Sequence, residues 1–240
     1  MTTSGTTTYA TTRDDIIKRA LRLIGVLAQG ETPTADQVSE ASVALNGLVK
    51  AWQADGMPLW AISTLPVTLV ADKSTYTIGT AVTNDIVNDK PLKVMQCWNH
   101  DSTSNVDIPM RILTQNEYNR LGNKTSSGSP IQMYYQPNRD NGTLYLFPVP
   151  ASTDAASQTL RLVYQRPYQD FNASTDAPDF PQEWYDAVTY GLASRLAPEY
   201  GIPAADRKTL WQETSVIKQE ALSFGTEEGS LYFQVDRRSW

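Results

Sequence analysis

Cys97 and His100 are the side chains best suited to covalent or metal chemistry in this sequence, and each is the only one of its type. A Ser-His-Asp or Cys-His arrangement would have to use His100. In a run that reads as a strand, residues three apart point to opposite faces, so Cys97 and His100 diverge. A closed zinc site would also need a second pair of ligands. The residues thus point to a loop histidine near a buried thiol, with no metal and no cofactor expected. No Gly-rich loop with a following Lys-Ser/Thr occurs, and no G-x-G-x-x-G follows a strand, so a nucleotide site is not expected.

Carboxylates remain as a route to enzymology, because two of them can cleave a glycosidic bond. Glu117, Glu183 and Glu199 are the candidates, and each has a structural role available. Glu183 falls in a first helical turn, where the helix dipole favours negative charge. Glu117 falls on a short helix and Glu199 follows a helix end. Six tryptophans invite a stacking role. Trp52, Trp184 and Trp211 fall on apolar helical stripes and are expected in the core, while Trp60 and Trp98 fall in expected strands. Trp240 lies outside any expected element, after Arg237-Arg238. It is either unstructured or an anchor for a partner's pocket.

The elements that must position these residues follow from periodicity. Residues 1–11 are polar and read as an arm. Thr12 caps a first helix whose stripe is Ile17, Leu21, Ile24 and Leu27, with Gln29-Gly30 and Pro33 as the stop. Thr34 and Gln37 form a capping box for a second helix, which Asp55-Gly56 ends. From Leu59 to Phe171, short β runs alternate with turns. The expected strands are 67–70, 75–78, 92–99, 107–112, 131–136, 143–148 and 159–165, with a short helix at 114–121 and a hairpin loop at 138–142. Pro181 opens a third long helix with Trp184, Val188, Leu192 and Leu196 on its stripe. A fourth, Asp206 to Phe224, presents Leu210, Thr214, Ile217, Ala221 and Phe224, and Gly225 stops it. Leu231, Phe233 and Val235 then alternate with polar or amphipathic neighbours, as in a strand that could add to another chain.

The expected fold class is therefore α+β, mainly α. Residues 12–58 and 179–225 make a four-helix bundle, 59–178 a β-rich insertion lobe, and 226–240 an extended tail. Charged residues are 19% of the chain and the formal net charge is −6, with no Lys/Arg run longer than a pair. Tight DNA binding would call for a basic stripe. A mildly acidic wall instead lets DNA slide past. A single cysteine allows no intrachain disulfide and fits assembly in a reducing cytoplasm. The first residues do not read as a signal peptide. No apolar run approaches the ~20 residues of a membrane span, so no membrane is expected as a partner.

Several stretches, taken in order, resemble the head-to-tail adaptors of short-tailed bacteriophages, the family of tail tubular protein A and the packaged-DNA stabilisation tail accessory proteins. They are Ile16–Val26 with Leu45–Leu48 and Ala51–Gly56, then Leu144–Pro150 and Leu160–Pro167, and then Asp179–Ala187 leading into Leu192–Gly201. The resemblance implies a structural protein of the virion neck that is not an enzyme. It would form a dodecameric homo-oligomeric ring between the portal protein and the tail nozzle protein. That ring would extend the channel for packaged double-stranded DNA, without specific binding, and help retain it. The tail would reach the portal, with Leu231, Tyr232, Phe233, Val235, Arg237, Arg238 and Trp240 as the contact residues. The alternatives are a virion-associated peptidoglycan hydrolase and a different minor tail protein.

Overall fold

A computed structural model describes residue 5, residue 7, residues 9–55 and residues 61–224. The chain divides into two compact units, Met1–Ala54 with Asp170–Trp240, and Asp55–Gln169.

The first unit is helical among the described residues. Helix α1, Arg13–Leu23, begins with a capping box: Thr12 accepts from the Asp15 N–H, and the Asp15 carboxylate accepts from the Thr12 N–H at 3.1 Å. The helix is shorter than its apolar stripe. Gly25 adopts φ +71°, its N–H donates to the Arg22 carbonyl, and the Val26 N–H donates to that of Leu21. This six-to-one, five-to-two pattern ends a helix through a left-handed residue. Ile24 and Leu27 are still buried, but beyond the helix.

Helix α2, Ala35–Asp55, has the expected Thr34–Gln37 capping box, with bonds of 2.9 and 3.3 Å. The later helices, named in chain order after the two short ones of the second unit, are α5 (Tyr185–Leu196) and α6 (Ala204–Phe224). A 3-10 turn at Gln182–Trp184 leads into α5. α5 is the central helix and is buried along Ala187, Val188, Gly191, Leu192 and Leu196. A Cβ on Gly47 would sit 3.4 Å from the Arg195 guanidinium, and one on Gly191 would sit 2.8 Å from the Trp52 ring. Gly191 thus leaves the room that the Trp52 ring occupies, while Gly47 makes ordinary contact with Arg195.

Among its described residues the second unit holds nine strands: β1 (Ile62–Thr68), β2 (Thr75–Gly79), β3 (Ile86–Val87), β4 (Lys93–Asp101), β5 (Val106–Pro109), β6 (Arg111–Ile112), β7 (Gln132–Pro137), β8 (Gly142–Phe147) and β9 (Gln158–Gln165). Two short helices, α3 (Gln115–Asn119) and α4 (Ser152–Ser157), interrupt them. One sheet runs β1-β9-β4-β5 and is antiparallel throughout. The other runs β3-β2-β8-β7-β6, antiparallel at its centre and parallel at both edges. They share one core, to which Leu160 and Leu162 contribute from the first sheet and Ile78, Met133, Leu144 and Leu146 from the second. The register breaks between Val94 and Gln96 of β4. That extra residue turns both Val94 and Cys97 into the core, an odd spacing that a regular strand would split between two faces.

These observations correct the expected fold class. The chain is 38% helix and 24% strand, with six helices and two sheets among the described residues, and is a mixed α/β fold, not a mainly α four-helix bundle. Two of the six helices belong to the β-rich unit. α1 loses a turn to Gly25, and the sheets bury a core of their own. The expected strand 107–112 is two strands, β5 and β6, with the buried Met110 between them. β3 and α4 lie where only turns and loop were expected.

Candidate functional site

The seven residues expected to contact a portal, Leu231, Tyr232, Phe233, Val235, Arg237, Arg238 and Trp240, lie outside the described residues, as does Trp60. The chemistry-bearing residues within them have packing or capping roles. Cys97 is buried on β4, its Sγ 3.6 Å from the Met110 Sδ, and burial pushes its thiol far above the ordinary range. The thiolate needed for nucleophilic or metal chemistry is therefore strongly disfavoured. His100 faces the other way, with Nδ1 2.7 Å from the Asp107 carboxylate across the β4–β5 pair.

Glu117 closes the capping box of α3: its carboxylate accepts from the Thr114 N–H at 2.8 Å and pairs with Arg111. The Thr114 backbone bond, then the Thr114 hydroxyl, hold it below the usual carboxylate range. A general acid would need the opposite shift. Glu183 lies in the 3-10 turn before α5 and Glu199 beyond its far end, so the length of α5, about 18 Å, separates them. Glu117 belongs to the other unit. Among the described residues no cluster of three or more His, Cys, Asp or Glu could hold a metal, and no helix is long and apolar enough to cross a membrane.

The tryptophans divide. Trp184 is buried and meets Trp52 edge-on, ring centres 6.1 Å apart, with the Lys218 ammonium 4.9 Å from the Trp52 ring. Trp211 was expected in the core and is instead 63% exposed; Phe224, expected on the same buried stripe, is 76% exposed. α6 buries only Thr214 and Ala221 fully, because α5 covers a narrow strip of it. Its flanks remain surface.

The described sheet edges are short or interrupted by proline. Edge strands invite pairing with a second chain unless blunted. β1 carries Pro66 and β5 carries Pro109, each lacking a donor, and β3 and β6 are two residues long. A groove that was not expected from the sequence lies in the helical unit. Leu23, Ile24, Ile202, Asp206, Leu210 and Glu213 are among the residues that line a groove of about 450 Å³. Leu23 is 39% exposed there.

Among the described residues, Cys97, His100, Glu117, Glu183 and Glu199 are not brought together into one centre. The family model described as SU10 adaptor protein matches residues 11–220. The chain belongs to this family of phage head-to-tail adaptors. No curated protein matches the chain. Members are structural components of the bacteriophage neck that work with portal and tail parts. The matched span takes in both units of the adaptor, from the residue before the Thr12 cap to the last turn of α6.

Proposed function

We propose that this adaptor forms a closed, dodecameric ring between the portal protein and the tail nozzle, extends the DNA channel, and helps retain packaged DNA. The family match over 11–220 carries the reading. Three physical features support it. A ring needs side-to-side surfaces that close by rotation, and blunted sheet edges disfavour open-ended strand pairing as the alternative. Residues 55–169 carry equal numbers of acidic and basic side chains, so the whole net charge of −6 falls on Met1–Ala54 and Asp170–Trp240. Such a surface lets DNA pass without holding it. Repeated contacts of modest area also gain strength around a ring.

Residues 231–240 are the proposed portal contact. Leu231, Phe233 and Trp240 would serve as apolar anchors, and Arg237 and Arg238 would pair with portal carboxylates. Mixing purified portal-bearing particles with the intact adaptor and with a variant lacking residues 230–240 tests this. The intact chain should attach as a ring visible by electron microscopy, and the shortened chain should stay folded and unattached. Normal attachment of the shortened chain would remove the assignment of this segment.

A further inference from the structure

We infer that α6 carries both halves of the contact between neighbouring copies of this chain: its acidic flank meets the opposite, cationic flank of α6 in the next copy. The inference rests on the ring proposed above and adds which surfaces meet in it. Charge is segregated round this helix. Asp206, Glu213 and Glu220 recur every seven residues, so they drift by only about 20° per step and form one row roughly 21 Å long. All three are exposed, and none pairs with a cation among the described residues. Arg207, Lys208 and Lys218 centre about 160° away round the helix. Thr214 and Ala221, the fully buried residues of α6, lie between the two sets, and the Thr214 hydroxyl donates to the Tyr190 carbonyl of α5 at 3.1 Å. The two charged flanks therefore lie on either side of the strip that α5 covers.

Each flank also carries one large aromatic ring at the surface. Phe224 follows Glu220 by one turn on the acidic flank and is 76% exposed. Trp211 stands among the cations and is 63% exposed. Lys208 is exposed beside it, and Lys218 lies over the Trp52 ring, 4.9 Å from its centre. Protein interfaces gather aromatic rings at their centre, with charges at the rim. The acidic flank borders the groove that Asp206 and Glu213 line with Leu23 and Leu210. That recess can take the neighbour's Trp211 ring with its N–H toward a carboxylate, the acceptor that a buried indole needs.

Charge complementarity selects a second copy as the occupant. The acidic row is matched, in sign and in length, by a feature of the same chain: from Arg207 to Lys218 the cationic flank runs about 17 Å. The arrangement also selects the symmetry. A two-fold pair sets one patch against itself, which here would place acids on acids or cations on cations. Because the flanks lie on opposite sides, one contact joins the acids of one copy to the cations of the next and leaves each outer flank open for a further copy. That is a heterologous contact, the kind that closes into a ring when the rotation allows. Single exposed ion pairs contribute little, so the contact gains its strength by repetition round the ring, and added salt should weaken it.

Exchanging charge between the flanks tests the inference on portal-bearing particles, with rings counted by electron microscopy. One full-length variant carries Glu213→Lys and Glu220→Lys. The other carries Lys208→Glu and Gln219→Glu, Gln219 lying within about 20° of Lys208 round the helix. All four positions are exposed, so both variants should keep the urea midpoint of the intact chain. Each variant alone should lower the fraction of ring-bearing particles at least fivefold. An equimolar mixture should restore it to within twofold of the intact chain, because alternating copies then set unlike flanks together. Rings formed by either variant alone at the intact level, or a mixture as poor as its parts, would overturn the flank-to-flank contact and leave the ring reading in place. An intact chain that forms no ring on the particles would remove the ring reading, and this contact with it.

Discussion

Gly191 of α5 lies so close to Trp52 of α2 that a Cβ at that position would meet the indole Cζ2 at 2.8 Å and Cη2 at 2.9 Å. The indole cannot easily yield, because Trp184 packs against it and Lys218 lies over its face. Gly191→Ala should therefore destabilise the helical unit even though alanine is the better helix former. Overpacking costs about 1–3 kcal/mol and the propensity gain returns about 1 kcal/mol, for a net loss of about 1 kcal/mol. Urea denaturation measures it. In the Trp52→Phe background the loss should shrink, a coupling that a double-mutant cycle reads directly.

Gly142 plays the same part in the β-rich unit. A Cβ there would overlap the Tyr135 ring, 2.2 Å from its hydroxyl oxygen. That hydroxyl donates to the Pro91 carbonyl at 2.6 Å, and burial pushes it well above the ordinary tyrosine range. Gly142→Ala should break this bond and lower the thermal midpoint. Tyr135→Phe should cost about 1 kcal/mol through the hydrogen bond alone. If the alanine acts by displacing the Tyr135 ring, calorimetry of the double variant will show less than the sum of the two losses.

Leu162 sits at the centre of β9, fully buried in the core shared by both sheets. Leu162→Ala should cost about 2–5 kcal/mol through lost burial and the cavity left behind. Chemical denaturation should show the β-rich unit losing that stability. A loss below about 1 kcal/mol would mean that the two sheets do not close on a common core.

Asp176 accepts from the Asn172 and Ala173 N–H groups at 2.7 and 2.6 Å. Its backbone carbonyl accepts from the Arg13 N–H, which ties the 172–176 loop to the start of α1. The Ala173 backbone bond, then that of Asn172, hold its carboxyl below the usual range. A depressed folded-state pKa contributes stability above the unfolded value near 3.8 and loses it as pH falls through the folded value. Asp85 and Glu117 are shifted the same way, Asp85 mainly by its bond from Lys73. Stability should fall as the pH drops below about 4, modestly for each of these solvent-screened groups. Asp176→Asn should be less stable at neutral pH and flatter in its acid profile when thermal midpoints are followed from pH 6 to pH 2.5.

Local signals were legible wherever the deciding interaction is close in sequence. Thr12 with Asp15, Thr34 with Gln37 and Thr114 with Glu117 satisfy helix starts within one turn, so the sequence locates those starts closely. The hairpin loop before Gly142 is equally local: the Asn138 N–H donates to the Asn141 carbonyl between β7 and β8. Capping residues cannot report which flank of a helix a distant partner covers. Trp211 and Phe224 fit an apolar stripe, yet α5 covers a narrower strip and leaves both at the surface. Nor can period-two alternation report a bulge, because the extra residue in β4 is defined only against its partner β9.

The sequence by itself determined most helix starts, the β character of the middle of the chain and, through the order of several stretches, the adaptor family. These rest on backbone groups satisfied by near neighbours and on residues whose order survives without coordinates. Tertiary structure decided the division into two sheets with one core, the mixed class of the fold, and the groove that Leu23 and Leu210 line together with Asp206 and Glu213. Each depends on which distant surfaces meet, and burial is a property of the pair that meets rather than of either segment alone.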